Sequence, residues 1–147
     1  MRRVAWHRRL GIAGALLAVA LVVVASLQSV QTRGIGPNLV FSAGAVVMFV
    51  AFVVLGLRAR HRDPQAHKRY ILLATLTILP PAIARLHLPF VPAGSVGPNF
   101  AGLFFLLPLI AYDIATQRRI HPATLWGGLF MIAMLPARAI LKAALSP

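Results

Sequence analysis

The chain has 147 residues, 59% of them hydrophobic and only 12% charged, with a mean hydropathy of +0.82; this excludes an ordinary soluble domain and points to an integral membrane protein. Fifteen lysines and arginines against two acids give a net charge of +13, but the basic residues punctuate apolar runs and form no basic stripe with aromatics, so no nucleic-acid partner is expected. The absence of cysteine excludes disulfides, thiolate metal sites and thiol catalysis by this chain.

A bilayer core of about 30 Å takes roughly 20 helical residues to cross, and five apolar segments approach that length: residues 10–30, 39–57, 70–88, 100–115 and 123–145. They are apolar nearly all round, unlike the helices of a soluble bundle, and lack the strict alternation of a membrane barrel. The expected fold is all-α: one polytopic transmembrane bundle of five helices occupying residues 1–147 as a single domain. The first helix follows "MRRVAWHRRLG", a basic start that also fits a secretory signal. Its apolar run continues through Val30, which favours an uncleaved first span. The second, free of charge, follows "GIGPN", and the fourth follows "SVGPN", so Asn38 and Asn99 are expected N-caps. The third, "HKRYILLATLTILPPAIARLH", should bend at Pro80 and Pro81. The fourth is short and holds Pro108, and the fifth should bend at Pro136.

Arg2, Arg3, Arg8 and Arg9 precede helix one; Arg58, Arg60, Arg62, Lys68 and Arg69 join helices two and three; Arg118 and Arg119 join four and five. That places eleven of the fifteen basic residues on one side and makes the amino terminus cytoplasmic and the carboxyl terminus external. Helices two and three also echo four and five. Each pair starts at Gly-Pro-Asn and returns through a histidine, a proline and an arginine, which suggests a parallel repeat. Trp6, Tyr70, Tyr112 and Trp126 fall at the basic interface, where amphipathic rings favour headgroup depth. Gly11, Gly14, Gly44, Gly127 and Gly128 offer close helix contacts.

Arg85 and Arg138 each stand just beyond a proline on helices running the same way. One reading has the two guanidinium groups face each other across an outward recess that takes an anion or a lipid headgroup; the plainer one has both snorkel to the interface. His7, His67 and His121 each stand where an outward-going helix begins. They read as interfacial histidines or, alternatively, as ligands to a b-type haem. Asp113, near the inner end of helix four, suits an ion pair with His67, Arg69, Arg118 or Arg119, or a proton relay. Asp63 before Pro64 reads as a turn residue. No paired carboxylates, phosphate loop, dinucleotide fingerprint or zinc-protease motif is present, so no catalytic residues and no metal site are expected.

Three segments, "HRRLG", "HKRYILLATLTILPPAIARL" and "YDIATQRRIHPATLWGG", together resemble an uncharacterised family of bacterial polytopic inner-membrane proteins. The resemblance implies a multi-pass protein of the bacterial inner membrane. It matches His7, His67, Lys68, Arg69, Arg85, Asp113, Arg119, His121 and Pro122 to the family pattern. Members usually carry further helices and histidines ahead of the "HRRLG" segment, so this chain is expected to be a short form or the product of a late start codon. The functional expectation is a non-enzymatic small carrier or membrane assembly component without a cofactor, whose partners are the bilayer and an anionic ligand or headgroup. The alternative is an electron-transfer subunit holding haem b. Oligomeric state is left open.

Overall fold

The structure, a computed structural model, describes residues 2–33, 39–92 and 96–145. These form seven α-helical segments and no strand: α1 (Arg2–Arg33), α2 (Leu39–Ala59), α3 (Pro64–Thr77), α4 (Pro80–Arg85), α5 (Val96–Leu103), α6 (Leu106–Gln117) and α7 (Pro122–Ala144). The five expected helices are all there; seven segments result because two of them are broken.

Both breaks follow from proline. Pro80 and Pro81 lack an N–H, and their rings collide with the carbonyls four residues back. The chain therefore tightens into turns closed by Ile78 N–H to Thr75 O at 3.2 Å and Leu79 N–H to Leu76 O at 3.3 Å, and restarts as α4 with proline in its first turn, where the missing donor costs nothing. Pro108 acts alike on Phe104. Phe104 and Phe105 N–H reach back three residues, to Ala101 O and Gly102 O, each at 3.2 Å, before α6 begins. Pro136 causes no such break: α7 runs on through it for 23 residues.

Among the described residues, four stretches are long and apolar enough to cross a membrane: Arg9–Gln28, Ser42–Ala59, Gly97–Gln117 and Pro122–Ala144. The expected third span, residues 70–88, is divided between α3 and α4 at Ile78 and Leu79 and is not among these four. Length, composition and helicity together make this a multi-pass membrane protein with an all-α bundle.

The core lies where α2, α3, α6 and α7 meet, at Met48, Phe49, Phe52, Leu73, Ala74, Leu106, Leu109 and Met131. Close approach comes from two of the expected glycines. A Cβ on Gly127 would run into Leu73 and Phe52, and one on Gly44 into the Arg138 side chain. Gly11 and Gly14 face open space, so they make no such contact. Helix α1 packs chiefly on α2, through Ala18, Leu21 and Val22. Most of its other apolar side chains are exposed, as suits a surface that meets lipid.

Candidate functional site

The loops after α2 and α6 stand at the same end of the bundle, tied by the only two acids of the sequence. Asp63 caps α3: its Oδ1 accepts from Gln65 N–H at 3.0 Å and Ala66 N–H at 2.9 Å, which refines the turn reading into an N-cap. Its other oxygen lies 3.7 Å from His121 Nε2. Asp113 has no exposed surface and Arg69 has 1%. Of the four partners open to it, Asp113 takes Arg69, whose Nε donates to Oδ1 at 2.8 Å and whose Nη2 donates to the same oxygen. Nη1 holds the Gln65 carbonyl and side chain, at 2.9 and 3.0 Å. Asp113 Oδ2 accepts from His121 N–H at 3.0 Å. The carboxylate thus joins α3, α6 and the start of α7.

The histidines have separate duties here. His121 caps α7, its Nδ1 accepting from Ala123 N–H at 3.1 Å. His67 Nδ1 is 2.8 Å from Gly56 O, where it donates as the protonated nitrogen. His7 lies near the start of α1, its side chain outside the described residues. Haem ligation by His67 and His121 together would require His121 to give up its cap.

Beside this cluster opens a groove of ≈ 1140 Å³ between α1, α3 and α6. It exists because α1 leans on α2 and leaves one face of α3 uncovered. Arg60, His61, Pro64, His67 and Lys68 line one end; Leu72, Leu76, Phe105 and Leu109 line the rest, with Gly11, Ile12 and Ala15 of α1 as the opposite wall. From Pro64 to Leu76 the helical rise is about 18 Å, close to the ~15 Å depth of one leaflet. The groove therefore has a basic mouth at headgroup level and an apolar body one leaflet deep. Sequence reading passed over it, although Pro64, Lys68, Leu72 and Leu76 repeat every four residues on one face of α3.

A second, smaller feature lies near the two helix breaks. Arg138 is 7% exposed; its Nε donates to Met134 O and its Nη2 to Asn99 Oδ1, each at 3.2 Å. Asn99 sits inside α5, so the expected cap is instead a partner of Arg138; Asn38 lies outside the described residues. Thr77, Pro80, Asn99, Gly102 and Arg138 line a recess of ≈ 20 Å³, the size of one water. Arg85 is exposed at the end of α4 and is not among the recess residues, so the two arginines occupy different environments. Among the described residues no group of three or more metal-ligating side chains comes together.

Comparison of the chain with protein-family models, curated proteins and solved structures finds no match.

Proposed function

We propose that the protein is a non-enzymatic carrier or assembly component of the bacterial inner membrane, and that it holds an anionic amphiphile of the glycerophospholipid type in the groove between α1, α3 and α6. The observation that supports this is the graded lining, with Arg60 and Lys68 at the mouth and Leu72, Leu76 and Leu109 behind. A phosphate headgroup meets cations while its acyl chain replaces water against apolar walls. The positive-inside distribution puts the mouth at the cytoplasmic leaflet. Each lysine or arginine near an anionic surface contributes about 1 kcal/mol. Arg60→Gln with Lys68→Gln should therefore weaken retention of phosphatidylglycerol roughly thirtyfold. Native mass spectrometry of protein purified with mixed phosphatidylglycerol and phosphatidylcholine reads this directly. Equal retention of both lipids by the wild type counts against the proposal.

His67 supports a second reading, a haem b site in the same groove. Its Nδ1 is held by a backbone carbonyl, the arrangement that orients a ligating imidazole through its other nitrogen, and it lines the groove. A reduced-minus-oxidised spectrum with sharp haem bands, lost in His67→Ala, favours this reading. A colourless preparation that remains so after haem is added removes it.

A further inference from the structure

The apolar body of the groove cannot tell one anionic amphiphile from another, so the class of headgroup has to be selected at its mouth. Lys68 is the last charged side chain ahead of Leu72 and Leu76 on the lining face of α3, which sets the level at which a headgroup meets the protein. Arg60 and His61 stand at the same end, in the turn that follows α2. Arg60 Nε donates to His61 Nε2 at 2.8 Å. An arginine nitrogen has no lone pair to offer, so this imidazole nitrogen is the acceptor and the proton of the ring sits on Nδ1. The bond anchors the Arg60 guanidinium while leaving its two terminal amino groups for a ligand, and it makes His61 Nδ1–H a third donor.

None of the side chains that line the groove is acidic. The two carboxylates of the sequence face other partners: Asp113 meets Arg69, and Asp63 meets the first amides of α3 and His121. Arg69 also lines the groove, but Asp113 matches its charge. Among the described residues, no carboxylate is paired with Arg60 or Lys68, so the mouth offers two full positive charges. A phosphodiester headgroup answers them with a single negative charge and two terminal oxygens. A terminal phosphomonoester carries about −1.5 to −2 at pH 7 and three strong acceptor oxygens. Its charge matches the two cations, and its oxygens match the three donor groups.

We propose that the groove takes an amphiphile ending in a phosphomonoester, of the phosphatidic acid class, with Arg60 and Lys68 selecting it over phosphodiester lipids and His61 positioning Arg60. The inference rests on the amphiphile reading of the groove and adds the headgroup to it.

The test is native mass spectrometry of the full chain in neutral detergent with equal amounts of phosphatidic acid, phosphatidylmethanol and phosphatidylcholine, all with the same acyl chains. Phosphatidylmethanol is the smallest diester of the same phosphate, so it changes the charge of the headgroup with little change in size. Wild type should retain phosphatidic acid about tenfold over phosphatidylmethanol. Arg60→Gln/Lys68→Gln should bring that ratio close to one; both side chains are exposed, so the core is spared. His61→Phe keeps both cations but frees Arg60, and should lower the ratio about threefold. Equal retention of phosphatidic acid and phosphatidylmethanol, both above phosphatidylcholine, overturns the headgroup inference and leaves the amphiphile reading intact. Equal retention of all three lipids overturns both. An undiminished preference in the double variant overturns the inference by assigning selection to other basic side chains. Displacement of bound phosphatidic acid by excess inorganic phosphate also overturns it, since the site would then take the free ion.

Discussion

Separating the Arg69–Asp113 pair tests the organisation of the basic end. Arg69 is 1% exposed and Asp113 is fully buried, so removing either partner strands the other as a buried, uncompensated group. Such truncations cost about 3–5 kcal/mol. Arg69→Met and Asp113→Leu should each fall in that range, and simple addition gives roughly 6–10 kcal/mol. The double variant strands no charge. Its remaining debt is the His121 N–H that Asp113 Oδ2 accepts from at 3.0 Å, worth about 1–3 kcal/mol when left unsatisfied. Arg69→Met/Asp113→Leu should therefore be more stable than either single variant, with a coupling of several kcal/mol. Reversible unfolding in mixed micelles of neutral detergent and dodecyl sulfate, followed by circular dichroism, gives all four corners of the cycle. A double variant whose loss equals the sum of the singles refutes the reasoning, and a proton-relay role for Asp113 would then need a fresh look.

Other outcomes follow from single positions. Arg118 ends α6 at φ 53, a left-handed conformation that costs a non-glycine residue about 1 kcal/mol, so Arg118→Gly should raise stability by up to that amount in the same unfolding assay. Asp63→Ala removes the two bonds that start α3 and should cost about 0.5–2 kcal/mol. Since the sequence has no cysteine, thiols introduced at Gln65 and Leu145 report topology without background. Impermeant reagent should reach Leu145→Cys from outside intact cells and Gln65→Cys only after lysis; labelling of both from one side contradicts the orientation.

What the sequence made legible was set by local rules. Apolar run length marks five helices, and the prolines at 80, 81 and 108 mark weak points whose consequences are local clashes. Pro136 sits inside α7 without breaking it. Asp113 narrows to four nearby cations in the sequence, but only the packing of α3 against α6 selects Arg69. Asn99 misled because Gly-Pro-Asn resembles a helix start, while the structure starts α5 at Val96 and gives the asparagine to Arg138. The matched arginines misled similarly. Standing beyond a proline, by four residues for Arg85 and two for Arg138, says nothing about which face a side chain occupies once one helix breaks and the other does not. The groove depends on how α1 lies against its neighbours, which an all-round apolar helix leaves unspecified.

The central claim, that the groove between α1, α3 and α6 holds an anionic amphiphile, is tested most directly by crosslinking from within it. A photoreactive amino acid at Leu72, which lines the groove, is compared with one at Ile132, an exposed position on α7 outside the groove. In membranes containing phosphatidylglycerol and phosphatidylcholine in equal amounts, the Leu72 adducts should be enriched in phosphatidylglycerol, and that enrichment should fall away in the Arg60→Gln/Lys68→Gln background. The Ile132 adducts should mirror the bulk composition in both. Bulk-composition adducts at Leu72 as well would contradict the account.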